Sequence, residues 1–103
     1  MSDFQVTLLA QADIDLVWLF VARDRTAAAD RLAERFFEQF AAIANNPAIG
    51  HICTELGADI RQSIVGNYVV IYRIRESWVE ILRVIHGARD VVAEFKRHWP
   101  GNI

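Results

Sequence analysis

Residues 65–90 run VGNYVVIYRIRESWVEILRVIHGARD. Tyr68, Val70, Tyr72 and Ile74 alternate with Val69, Ile71 and Arg73. Val79, Ile81, Arg83 and Ile85 alternate in the same way with Glu80, Leu82 and Val84. A period of two is that of a β-strand. With Arg75 to Trp78 as the turn, Ile74 faces Val79, Tyr72 faces Ile81, and Arg73 stands opposite Glu80 as a cross-strand pair of opposite charge. One register satisfies packing and charge together, so the stretch is a β-hairpin and the rest of the chain must cover it. The alternation also sets Arg83 on a face built from Val70, Tyr72 and Ile81. A guanidinium there requires a carboxylate, from inside the fold or from another chain.

Working outward, Gly66-Asn67 is a turn, preceded by a short strand begun by Ile60, Gln62 and Ile64. Asn46 to Asp59, punctuated by Pro47, Gly50 and Gly57, reads as loop. The alanine-rich segment Ala27 to Ala44 is a helix with Thr26 as its expected N-cap. Leu32, Phe36, Phe40 and Ile43 form its buried stripe. Arg31, Glu34, Arg35 and Glu38 lie on its wetter side, where the i, i+3 pairs Arg31–Glu34 and Arg35–Glu38 are expected to offset in part the like-charge i, i+4 pairs. Asp13 is the expected cap of an earlier helix, Ile14 to Arg23, whose stripe is Ile14, Val17, Trp18 and Val21. Leu16, Leu19 and Phe20 put further apolar side chains on its other faces, so this helix must be covered on more than one side. A polar corner, Arg23-Asp24-Arg25, is short enough to make the two helices an antiparallel pair. Phe4, Val6 and Leu8 alternate as a first strand. After Gly87, Ala88 to Trp99 is expected to form a last helix, with Val92, Phe95 and Trp99 at helical spacing and Pro100-Gly101 ending it. The order is β-α-α-β-β-β, a helical hairpin on a mostly antiparallel sheet, and the class is α+β.

The 103 residues allow one domain, spanning 1–103, with one core. Hydrophobic residues make up 53% and the mean hydropathy is +0.17. For so short a chain this points to apolar surface kept for a partner. The net charge of -2 gives no bulk attraction to nucleic acid. Its distribution is uneven, since Arg61, Arg73, Arg75, Arg83 and Arg89 face only Glu76 and Glu80 in their stretch. Cys53 is the sole cysteine, which excludes a disulfide framework and is expected to be a buried, inert thiol. The N-terminus carries acids where a signal peptide is basic, and no run reaches the roughly 18 apolar residues of a membrane span. A soluble cytoplasmic chain is expected.

No phosphate-binding glycine loop, nucleophile elbow or H-E-x-x-H is present. His51, His86 and His98 lack metal-ligand spacing, and neither metal nor cofactor is expected. Asp13 and Asp15 are expected to cap a helix rather than exchange protons. His86 alone has suggestive neighbours: Arg83, Arg89 and Asp90.

Tyr68-Val-Val-Ile-Tyr72-Arg73, followed by Ile81-Leu-Arg83-Val-Ile-His86-Gly87-Ala-Arg89-Asp90, resembles the ending of ParE toxins. These belong to the ParE/RelE superfamily of bacterial toxin–antitoxin modules, among them the plasmid stabilisation systems. Ala12-Asp13-Ile14-Asp15 leading to Trp18, then Pro47-x-x-Gly50, Leu56 and Arg61, extend the resemblance over nearly the whole chain. It implies the same β-α-α-β-β-β fold, a neighbouring ParD-like antitoxin that wraps the sheet and helices, and growth arrest when that antitoxin is lost. The expected antitoxin contacts are Leu16, Leu19, Phe20, Arg61, Arg73 and Arg83. The expected target contacts are Arg83, His86, Arg89 and Asp90.

The resemblance also separates two chemistries. RelE-like members cleave messenger RNA on the ribosome, which requires a group to activate the 2′-hydroxyl and cations to hold the phosphate. Here the strand expected to bring lysines reads Ile60-Arg61-Gln62, and Lys96 is the only lysine. Val69 stands where an arginine is expected, and the terminal tyrosine is Phe95, which carries no proton. Only Arg89 persists. The ParE-like alternative, inhibition of DNA gyrase by binding, is favoured over a degenerate ribonuclease site or a non-toxic relic that only pairs with its antitoxin.

Overall fold

The computed structural model describes residues 3–98. β1 (Asp3–Val6) leads into α1 (Leu8–Ala22) and α2 (Thr26–Asn45). A 3-10 turn at Pro47–Ile49 follows, then β2 (His51–Ile52), β3 (Ile60–Val65), β4 (Tyr68–Ile74), β5 (Trp78–His86) and α3 (Val91–Arg97). The sheet order is β1-β5-β4-β3-β2, with β1 parallel to β5 and every other neighbour antiparallel. This is the α+β architecture expected, with the two-residue strand β2 added from what reads in sequence as loop. Trp99 and Pro100-Gly101 lie outside the described residues.

The hairpin forms in the expected register at its turn end, with Tyr72 opposite Ile81, Arg73 opposite Glu80 and Ile74 opposite Val79. Arg73 Nε donates to Glu80 Oε1 at 2.8 Å. Past Tyr72 the register slips by one, so that Ile71 pairs with Arg83, Val70 with Val84 and Tyr68 with His86. The extra residue of this β-bulge breaks the alternation on which Arg83 was placed. Val84, not Arg83, joins Val79 and Ile81 on the face of Val70 and Tyr72.

Two layers cover the sheet. On one face Ala10 and Ile14 of α1 and Phe36, Phe40 and Ile43 of α2 pack on Val65, Val70, Tyr72, Val79, Ile81 and Val84. On the other, Phe95 of α3 and Leu56 pack on Ile60, Val69, Ile71, Leu82 and Ile85. Cys53 borders this second layer half-buried, short of the full burial expected.

Helix starts differ from expectation for physical reasons. Thr7, not Asp13, caps α1: its hydroxyl accepts from Ala10 N–H at 3.1 Å and donates to Leu82 C=O at 3.0 Å. The cap turns the chain one residue after β1, so Leu8 opens the helix instead of closing the strand, and it is 90% exposed. The second helix starts at Thr26 with Arg25 in the cap position and no side-chain cap. The three-residue corner does pair the helices, pinned by Trp18 Nε1–H donating to Asp30 at 2.9 Å.

The Pro47-x-x-Gly50 corner is held by the buried Tyr72 hydroxyl, which accepts from Gly50 N–H at 2.9 Å and donates to Pro47 C=O at 2.7 Å. A Cβ on Gly50 would lie 2.5 Å from Gln62 C=O and 2.6 Å from that hydroxyl, so the position needs glycine for room. Burial raises the Tyr72 hydroxyl above the usual tyrosine value, against the Gly50 hydrogen bond and the Arg61 charge, which lower it.

Candidate functional site

Asp13 lies midway along α1 and reaches β5 where the bulge sits. Its Oδ2 accepts from Arg83 Nε at 2.8 Å and from Val84 N–H at 2.9 Å, and Oδ1 accepts from Arg83 Nη2 at 3.0 Å. Both carboxylate oxygens are thus used on an arginine whose side chain is only 7% exposed. The Asp13 hydrogen bond, first among the causes, holds the Arg83 pKa above even its ordinary value; the charge of Glu94 adds to it, and burial opposes. Arg83 therefore has the carboxylate its apolar setting requires, supplied from inside the fold. Glu94 of α3 completes the cluster, 3.7 Å from Arg83, 3.8 Å from Arg89 and 3.2 Å from Arg97.

Above this ion pair an open groove of about 340 Å³ runs between α1 and the end of β5. Leu16, Val17 and Phe20 form its apolar wall, and Tyr68, Arg83, His86 and Arg89 form the other. Leu16 and Phe20 are 66% and 67% exposed, which a folded chain tolerates at a cost unless something covers them. His86 Nδ1 accepts from Ala88 N–H at 3.0 Å, leaving Nε2 as the ring's donor, and its ring meets Tyr68 edge-on at 5.0 Å. Arg89, mostly solvent-exposed, stands at the rim.

The sequence-based candidates divide accordingly. Leu16, Phe20, Arg83, His86 and Arg89 come together in this one groove, although they were assigned to two different contacts. Leu19 is exposed on α1 outside it. Asp90 caps α3, accepting from Ala93 N–H at 3.1 Å. Arg61 donates to Gly50 C=O at 3.0 Å, and Arg73 sits on Glu80 at the far end of the hairpin, so neither reaches the groove. Sequence reasoning missed Asp13 and Tyr68. Asp13 was hidden by its resemblance to a cap. A uniform hairpin register sets Tyr68 opposite Ile85, and only the bulge brings it against His86.

This topology, with α3 closing the second face of the sheet, defines a small α+β protein of the RelE/ParE-like architecture. Residues 4–91 match the model of the family described as ParE toxin of type II toxin-antitoxin system, parDE, and the chain belongs to that family. It is 31% identical over 94 residues to Toxin ParE1 of Caulobacter vibrioides, covering 90% of this chain and 97% of the relative. The fold is similar to a chain from the chromosomal ParDE toxin–antitoxin system of P. aeruginosa, with TM-score 0.70 and 18% identity over 84% of this chain and 96% of that one. It is also similar to a chain of the toxin–antitoxin complex RelBE2 from Mycobacterium tuberculosis, with TM-score 0.58 and 24% identity over 82% and 96%.

Proposed function

We propose that this ParE-family toxin arrests growth by binding DNA gyrase and is neutralised by a ParD-like antitoxin seated in the α1–β5 groove. The observation that carries the reading is how the arginines of the sheet are used. Arg61, Arg73 and Arg83, the sheet's other arginines that could hold a scissile phosphate, are committed to Gly50 C=O, Glu80 and Asp13, which among the described residues leaves Arg89 as the one persisting cation of a ribonuclease site. Phe95 is fully buried in the second core layer and offers no proton. What remains accessible is apolar side chain beside Tyr68, His86 and Arg89, a composition suited to contact with protein.

The groove fits an amphipathic helical segment whose apolar face covers Leu16 and Phe20 and whose carboxylates meet Arg89. Purified chain should inhibit supercoiling by DNA gyrase, and a ParD-like antitoxin should restore it. An mRNA cleavage assay on translating ribosomes, run beside it, distinguishes the alternative: codon-specific cuts with supercoiling untouched would overturn the proposal.

A further inference from the structure

The outer face of α2 carries a pattern that the toxin–antitoxin reading leaves unused. About the midpoint between Glu34 and Arg35 the helix is its own mirror with charge inverted. Glu34 answers Arg35, Arg31 answers Glu38, and Ala27 and Ala28 answer Ala42 and Ala41. Helical spacing puts these positions on the side away from Phe36, Phe40 and Ile43, and each of them is exposed or half-buried. The i, i+3 ion pairs expected along this face do not form. None of its four charges bonds to another described residue. Within one chain the stripe thus keeps two like-charge i, i+4 pairs, Arg31–Arg35 and Glu34–Glu38, with no closed ion pair beside them.

We infer that this face is a homotypic docking surface and that its occupant is a second copy of the same chain. Two α2 helices laid antiparallel across a two-fold axis at Glu34/Arg35 set Arg31 of each copy against Glu38 of the other, and Arg35 against Glu34. Every charge in the stripe is then matched by its opposite, as an isologous interface requires. The alanines at both ends oppose each other and add no bulk that would hold the two helices apart. Room exists beside the stripe: cavities of about 590 Å³ along Arg31, Arg35 and the Gly66–Tyr68 turn, and about 350 Å³ beside Ile64 and Val65, can receive side chains of the second copy. Charge complementarity selects this occupant, because an unrelated acidic or basic partner would repel half of the stripe. Exposed ion pairs are individually weak, so the dimer is weak and sensitive to salt.

The test is sedimentation equilibrium of the full chain at about 50 mM and about 500 mM salt, where the screening length falls severalfold. Wild type should dimerise, with its dissociation constant rising at least tenfold at the higher salt. The double variants Arg31→Glu/Arg35→Glu and Glu34→Arg/Glu38→Arg should each weaken self-association at least tenfold. Their equimolar mixture should restore dimers, since all cross-pairs are then opposite in sign. Arg31→Glu/Glu38→Arg, which exchanges charges but keeps complementarity, should dimerise like wild type. A monomeric wild type at high concentration and low salt would overturn the inference. So would association that persists in both single-sign variants, which would route it through the exposed leucines of α1, or a mixture of natively folded variants that stays monomeric.

Discussion

Replacing Asp13 by alanine removes three hydrogen bonds at once: two from the Arg83 guanidinium and one from Val84 N–H at the bulge. It leaves a cationic side chain at 7% exposure with only Glu94, 3.7 Å away, to compensate. Breaking a buried pair in this way costs about 3–5 kcal/mol. A chain of 103 residues has roughly 5–15 kcal/mol of stability in all, so the variant should lose at least about a fifth of it. Urea unfolding followed by tryptophan fluorescence measures this directly. The midpoint should fall with the slope nearly unchanged, because the surface exposed on unfolding is nearly the same. The paired change Asp13→Ala/Arg83→Met should recover part of the loss, since it removes the orphaned cation but leaves Val84 N–H without its acceptor. A cost of Asp13→Ala below about 1 kcal/mol, or a double variant no better than the single, would refute the account of this pair as the clasp between α1 and β5.

Gly50→Ala should destabilise by roughly 2 kcal/mol or more, because its Cβ would sit 2.5 Å from Gln62 C=O, and a wild-type thermal midpoint would contradict that packing. With the Tyr72 hydroxyl raised by burial, its contribution to stability is complete below about pH 10 and is lost as pH climbs toward the raised value. In a Tyr68→Phe background, absorbance at 295 nm should show phenolate only at higher pH or on unfolding, and titration near pH 10 with the fold intact would count against it. Phe20→Ser should leave the midpoint of unfolding within about 0.5 kcal/mol, since the ring is 67% exposed, yet improve solubility of the free chain and weaken antitoxin binding. Arg89→Ala should weaken inhibition by about 1–3 kcal/mol without abolishing it, as for an interface contact, whereas complete loss would indicate a role in bond breaking. Phe95→Tyr should create no RNA cleavage and should destabilise, because its hydroxyl would enter the apolar layer of Leu56, Ile60, Leu82 and Ile85.

Much of the fold is a local property of this chain. The hairpin register at Tyr72–Ile81 and Arg73–Glu80 follows from alternation and charge over some fifteen residues, and α2 follows from a stripe, Leu32 to Ile43, repeated over about three turns. The apolar excess of α1, with Leu16 and Phe20 outside the core, is equally legible, because no single covering layer can hide a helix that is hydrophobic on every side. The groove is not local. It depends on a bulge that slips the register by one residue, turning Arg83 off the expected face and carrying Tyr68 to His86. It depends also on Asp13, 70 residues away in sequence, meeting that bulge from another element. A carboxylate before an apolar run reads as a cap when only neighbours along the chain are known. Whether it caps a helix or clasps a strand is decided by which backbone N–H and which guanidinium come within 3 Å of it, and only the packed tertiary structure sets that distance.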